Sequence, residues 1–174
     1  AGSEDPFFLW LHLMDPHAPL RDHPELGEAA DEAALPELDR RYRREVRSAA
    51  AATAELLRRV DELGLAASTV LVVTSDHGEM LPSDNHDSGV RDVSGRPIVY
   101  GHGHGLFEEL IRVPLAIRPA GSAGPGRRVA DLASQVDLLP TLLELLGQPP
   151  VATAHDGRSL ADRLRGQASA SAHA

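Results

Sequence analysis

The order of apolar runs and amphipathic stretches in this chain predicts an α/β fold: a largely parallel or mixed central sheet flanked by helices, as a partial domain. Phe7-Phe8-Leu9-Trp10-Leu11-His12-Leu13-Met14 is nearly continuous in apolar residues at strand length. A long amphipathic helix follows it, and then a β-branched run, Thr69-Val70-Leu71-Val72-Val73-Thr74. Strand, helix, strand in that order is the crossover unit of a parallel sheet.

Taken in order, residues 6–14 read as a strand buried on both faces, since a half-exposed strand would alternate apolar with polar. Asp15-Pro16-His17-Ala18-Pro19 ends it, because two prolines forbid a continuing ladder and force an exposed turn. A polar stretch runs from Arg21 to Pro36. The spacing of Leu38, Tyr42, Val46, Ala49, Thr53, Leu56, Leu57, Val60 and Leu63 then predicts a helix with one apolar stripe. Its length is about 26 residues, or about 39 Å. Arg40, Arg41, Arg43, Arg44, Glu55, Arg58, Arg59 and Glu62 fall mostly off the stripe and are expected to face water. Gly64 stands where a left-handed cap belongs. Thr69–Thr74 is the second interior strand. Leu81 to Gly105 carries no periodicity and reads as a long loop of the functional or mobile kind. Val113-Pro114-Leu115-Ala116-Ile117 is a third strand, and Ala120 to Arg128 a glycine-rich turn. Val136 to Gly147 is a short apolar helix with Asp137 as its N-cap, Pro140 in its first turn and Gly147 as its stop. The domain piece is expected over residues 6–165, with 166–174 as a disordered tail.

Composition removes several classes of function. The chain has 174 residues, 17 basic against 26 acidic, and a formal net charge of −9. Such an acidic chain lacks the basic face that would neutralise phosphates, so no nucleic-acid partner is expected. All the basic residues are arginine. Zero cysteines exclude a disulfide framework, a thiolate zinc site and a cysteine nucleophile within these residues. No apolar run is long enough to span a bilayer, and residues 1–6 do not resemble a signal peptide. The chain begins without methionine, almost directly in a hydrophobic run, and is therefore expected to be a piece of a longer protein.

Chemistry is expected outside the carboxyl ends of the strands. Asp15 and His17 follow the first strand there, and Asp76 and His77 follow the second; His102 and His104 lie in the loop entering the third. On a tight turn, Asp76 and His77 can both reach one metal ion, a carboxylate and imidazole pair acceptable to Mn²⁺ or Zn²⁺ and less usual for Ca²⁺. Alternatively Asp76 caps the turn and His77 is a surface residue. His17, pinned between prolines, suits a donor to an anionic oxygen or a general acid, or is a solvated turn histidine. His102-Gly103-His104 lets a ligand approach the backbone closely, or is a glycine loop without a role. The Walker A, H-E-x-x-H, G-x-S-x-G and G-x-G-x-x-G templates do not occur.

Together these strings resemble the sulfatase family. Phe7 to His12 with Met14-Asp15-Pro16-His17-Ala18-Pro19 is similar to its strand and D-P-H-x-P-Y turn. Val72 to Glu79 is similar to its T-S-D-H-G-E metal motif. Gly101-His102-Gly103-His104-Gly105-Leu106-Phe107-Glu108-Glu109, continuing through Arg112 to Leu115, resembles H-G-x-S-L-Y-E-E…R-V-P-L. Val136 to Gly147 and Asp156-Gly157-Arg158-Ser159-Leu160 resemble the closing helix and G-x-S-L turn. The resemblance covers about Pro6 to Gly166.

The resemblance implies an alkaline-phosphatase-like sandwich that hydrolyses small-molecule or glycan sulfate esters at a divalent metal, usually Ca²⁺, with Mn²⁺ or Zn²⁺ suited to His77. It implies Asp76 and His77 as metal ligands, His17 contacting the sulfate and helping the leaving group, and His102 where other members use a lysine. His104, on a variable position, is the second choice for substrate contact. The family nucleophile, a formylglycine made in C/S-x-P/A-x-R, and its paired aspartates are expected in the N-terminal half: the chain has no cysteine and no Asp-Asp pair, and its one S-x-A-x-R string, Ser159 to Arg163, falls in the closing G-x-S-L turn. The chain thus resembles a C-terminal portion whose partner is the N-terminal half, and the portion alone is expected to be inactive. Family tendency points to a periplasmic, extracellular or membrane-anchored parent. A phosphodiester or phosphonate hydrolase or a phosphoglycerol transferase of the same superfamily is the nearest alternative, and a non-catalytic degenerate module is another.

Overall fold

The computed structural model describes residues 5–21, 23–84, 87–122, 126–150 and 156–166. Two compact units divide the chain: Ala1–Arg58 with His77–Ile111, and Arg59–Asp76 with Arg112–Ala174.

The first unit is organised by α1, a helix of 26 residues over Glu37–Glu62 that begins there. Its period, length and stop agree with the sequence reading, and Gly64 closes it in the left-handed region at φ 71°. The arginines of its first turns do not face water as expected. Arg44 is buried, and Arg40, Arg41 and Arg43 are half-buried, because the polar stretch before the helix lies over them. Arg44 pairs with Glu28 at 2.7 Å and Arg47 with Glu32 at 2.8 Å, while Arg41 donates to the Leu20 carbonyl. The Arg47 guanidinium holds the Glu32 carboxyl below its ordinary range. Glu55, Arg58, Arg59 and Glu62 are exposed as expected.

Buried Asp39 accepts the Ser83 amide at 3.1 Å, which anchors the 3-10 turn Pro82–Asp84 to the helix. Met80 and Gly101 exchange amide-to-carbonyl bonds of 3.1 Å each, and Gly78 donates to Leu110 of α2 (Glu108–Ile111) at 2.8 Å. Leu20, Met80 and Leu110 are the buried apolar side chains here. The segment expected to be a structureless loop has internal order. Asp92 accepts the amides of Ser94 and Arg96 at 2.8 and 3.0 Å, and Arg91 bridges to Pro97. Asn85 and His86 lie outside the described residues.

Residues 6–14 are not a strand. They have no ladder partner, and Phe7 to Leu11 are 55–82% exposed. A strand needs the free edge of another, and the first unit contains none among its described residues.

Tyr42 of α1 is half-buried, and its phenol is pushed from 10.0 to about 12, first by burial and then by the charges of Glu79 and Tyr100. The fold therefore favours the neutral phenol. That contribution to stability is fully present below pH 10 and is lost as pH rises from 10 through about 12. The chain has two tyrosines, so absorbance at 295 nm can separate them. Titration should show a late step near pH 12 that disappears in Tyr42→Phe; a late step that survives the substitution contradicts this assignment.

The second unit holds a two-stranded sheet, β1 (Leu71–Thr74) and β2 (Leu115–Arg118). The pairing is antiparallel, with Leu71 opposite Arg118 and Thr74 opposite Leu115. This corrects the parallel crossover expected from sequence: the strand that would have made it, residues 6–14, is not formed, and β1 pairs with the third apolar run instead. The architecture among the described residues is a mixture of helices with this small sheet.

α3 (Leu138–Leu145) is entered through the 3-10 turn Gln135–Asp137. Its N-cap is Asp137, as the sequence reading has it, although the Asp137 side chain makes no cap bond to α3; Ser134 is the N-cap of the 3-10 turn. The two residues form a reciprocal capping box in which the Ser134 amide donates to Asp137 Oδ2 at 2.9 Å. Gly147, at φ 64°, lets the helix end with Gln148 N bonded to Leu143 O at 2.8 Å and Gly147 N to Glu144 O at 3.1 Å. These are the two bonds of a Schellman stop. Buried Asp137 and Thr141 also receive the turn leading to α4 (Ala161–Leu164): Arg158 N donates to Asp137 Oδ1 and Leu160 N to Thr141 Oγ1, both at 2.8 Å. A Cβ at Gly157 would stand 1.9 Å from the Val136 carbonyl, so only glycine lets this turn approach α3. Of the expected tail, residues 167–174 lie outside the described residues. Among the described residues, no helix is long and apolar enough to cross a membrane.

Candidate functional site

Three of the histidines singled out in the sequence come together in the first unit. The His102 ring stands between two others, with ring centroids 3.9 Å from His77 and 6.0 Å from His17. Local structure delivers each one. His17 sits in the proline turn, closed by a bond of 2.7 Å from its amide to Met14 O. His77 precedes Gly78, whose missing side chain lets the backbone lie against α2; a Cβ there would be 1.9 Å from Glu109 O. His102 follows Gly101, which is bonded to Met80.

The hydrogen bonds settle which ring nitrogen carries the proton. His17 Nδ1 lies 2.6 Å from Ala18 O, His77 Nδ1 2.6 Å from Gly78 O, and His104 Nδ1 2.9 Å from His102 O. A carbonyl oxygen only accepts, so Nδ1–H donates in each case. His102 Nδ1 lies 3.3 Å from both oxygens of Glu79, whose side chain is 6% exposed. The neutral form of every one of these rings therefore carries its lone pair on Nε2. An imidazole whose Nδ1–H is held by an oxygen is the form that ligates metals or takes a proton at Nε2.

His104 does not join the row. It turns back on its own loop, and its Nε2 is buried without a hydrogen-bond partner. Asp76 is exposed and belongs to the second unit, where its carbonyl accepts Gln135 Nε2 at 3.5 Å. The sequence reading missed the part of Glu79, which follows the D-H-G string and orients His102. It also missed the closeness of Asp15, His23 and Glu45, one ligand atom of each lying within 4.8 Å of the others. Glu45 was visible in principle: it falls three residues after Tyr42 and four before Ala49, a charge set in the apolar stripe.

Relatives are found over almost the whole chain. It is 32% identical over 173 residues to the steryl-sulfatase of Rattus norvegicus, covering 99% of this chain and 29% of that protein. It is 32% identical over 152 residues to the low-salt glycan biosynthesis sulfotransferase Agl7 of Haloferax volcanii, covering 85% of this chain and 35% of that protein. It is 28% identical over 175 residues to the N-acetylgalactosamine-6-O-sulfatase of Bacteroides thetaiotaomicron, covering 95% and 32%. The chain thus spans about a third of the length of these curated relatives. The sequence profile described as Sulfatase matches residues 1–148, and on that match, together with these relatives, the chain belongs to the sulfatase family.

Proposed function

We propose that this chain supplies part of the centre of a metal-dependent sulfate ester hydrolase, acting on small-molecule or glycan sulfates. The observation that carries the reading is the row of His17, His102 and His77, each with Nδ1 held by an oxygen. Protonated at Nε2, the His17 and His102 rings can donate to a tetrahedral anion and His17 can pass its proton to the leaving group, while His77 keeps its Nε2 lone pair for a metal. In this reading His17 and His102 contact the sulfate, with His17 protonating the leaving oxygen, Glu79 holds the His102 ring in place, and His104 is a secondary contact.

Asp76 and His77 are the proposed metal ligands. The donor set fits: a carboxylate and an imidazole whose Nδ1–H donates to Gly78 O, a set suited to Mn²⁺ or Zn²⁺ as well as to the Ca²⁺ of the family. The ion would supply charge neutralisation at the sulfate oxygens. The remaining ligands and the formylglycine are proposed to come from an N-terminal segment of the parent protein, since these residues hold no cysteine and no Asp-Asp pair, and their one S-x-A-x-R string, Ser159 to Arg163, belongs to the turn into α4. β1 and β2 would belong to the larger sheet of an alkaline-phosphatase-like sandwich.

The test compares p-nitrophenyl sulfate with bis-p-nitrophenyl phosphate, in Ca²⁺ or Mn²⁺. The enzymes are this chain alone and a protein carrying it behind its formylglycine segment. Sulfate turnover is expected from the longer protein and none above background from the chain. His17→Ala or His102→Ala should lower kcat by about 10²–10⁴-fold. Preference for the diester would move the reading to phosphate esters. Turnover by the chain alone near the rate of the longer protein would overturn the shared centre.

A further inference from the structure

We propose that Asp15, His23 and Glu45 bind one divalent transition-metal ion of the zinc class, tying the turn that carries His17 to α1. The argument starts at the His23 ring, which lies between two carboxylates. Its Nδ1 is 3.1 Å from Glu25 Oε1 and its Nε2 is 3.4 Å from Glu45 Oε2. With Nδ1–H donating to Glu25, the neutral ring turns the lone pair of Nε2 toward the lone pairs of Glu45.

Both atoms are buried, neither has a hydrogen-bond partner, and the Glu45 side chain is 1% exposed. Two lone pairs facing each other away from water call for a positive charge between them. A proton is one candidate: Glu25 first, and Glu45 after it, raise the His23 pKa and make the contact an ion pair, though at 3.4 Å it is longer than the usual N–H···O range of about 2.7–3.2 Å. The same separation equals the edge, about 3.4 Å, of a tetrahedron with metal–ligand bonds of about 2.1 Å. Asp15 adds a carboxylate oxygen within the 4.8 Å group, and a water can complete four positions.

The surroundings fit an ion as well. The other Glu45 oxygen accepts the Arg21 amide, which fixes the carboxylate's direction. Glu25 occupies the place of the outer carboxylate that a metal-bound imidazole characteristically has. One imidazole with two carboxylates suits Zn²⁺ or Mn²⁺ over the all-oxygen preference of Ca²⁺ and Mg²⁺. The set shares no residue with Asp76 and His77 and does not depend on the sulfate-ester reading.

Co²⁺, titrated into the metal-depleted chain, is the probe, because a four-coordinate site gives it an intense visible ligand-field band. One equivalent should produce that band, Zn²⁺ should displace it, and it should persist in the double variant Asp76→Asn/His77→Gln. Asp15→Asn, His23→Gln and Glu45→Gln should each weaken binding by more than about tenfold, at least the effect of losing an outer-sphere partner. Circular dichroism checks that each variant is folded. Half-exposed Asp15, the position least coupled to folding, decides the matter if Glu45→Gln is not. Absence of a Zn²⁺-displaceable band overturns the proposal. So does a band lost in the Asp76/His77 variant, or unchanged Co²⁺ affinity in Asp15→Asn and His23→Gln.

Discussion

Gly78→Ala should separate the D-H-G turn from α2 and lower the melting temperature by about 6–12 °C. The added Cβ would stand 1.9 Å from Glu109 O and 2.9 Å from its carbonyl carbon, both backbone atoms that cannot rotate aside. Relief requires the two segments to part, which stretches the bond of 2.8 Å from Gly78 N to Leu110 O. Overpacking costs about 1–3 kcal/mol, and a buried amide deprived of its acceptor about 1–3 kcal/mol more. The two together span about 2–6 kcal/mol; at about 3 kcal/mol, toward the low end because the segments can part slightly, a chain of this size loses about 2–4 °C per kcal/mol. His77 is the preceding residue and moves with the turn, so its ring should leave His102 and alter the ring-current shifts of both in NMR spectra. Gly126→Ala is the control: none of the described residues lies within 4 Å of its Cβ position, and its effect should stay within about 0.5 kcal/mol. Parent-like melting of Gly78→Ala would show that the approach to α2 is looser than 1.9 Å implies.

What was legible in the sequence is what depends on near neighbours along the chain. The span of α1 follows from a 3.6-residue period, and Gly64 and Gly147 follow from the left-handed stops that helices require. The β-branched runs marked β1 and β2 to within two residues at either end. Their pairing was not legible, because it rests on which edges meet in space, and residues 6–14 found none in their unit. The arginines of α1 were misread for the same reason. The partners of Arg44 and Arg47 lie 16 and 15 residues away in the preceding stretch, beyond any helical repeat. Asp137 was legible as the N-cap of α3, but not that its carboxylate serves Ser134 and Arg158 in place of the helix amides. At the candidate site, motif strings located His17, His77 and His102. The carboxylate behind His102 and the His23 group became visible only once the chain was folded back on α1.

Asp137→Ala should destabilise the second unit by about 3 kcal/mol, because one carboxylate there satisfies two backbone amides at once. Ser134 N donates to Oδ2 at 2.9 Å and Arg158 N to Oδ1 at 2.8 Å, and the residue is 0% exposed. Removing the carboxylate deprives both donors of their acceptor, at about 1–3 kcal/mol for each amide. The Thr141 hydroxyl does not share the loss, since its bond of 2.6 Å runs to the Asp137 backbone carbonyl. Asp137→Asn separates the two amides. Its carbonyl oxygen can accept one of them while its NH₂ group confronts the other, so the cost should be about half that of alanine. Chemical denaturation, with hydrogen exchange at Ser134 and Arg158, reads both effects. Alanine should expose both amides to exchange and asparagine one. Equal exchange at both positions in all three proteins would mean that α3 and the Asp156-Gly157-Arg158 turn are joined by their apolar contacts, Leu160 and Ala161 among them, and not through Asp137.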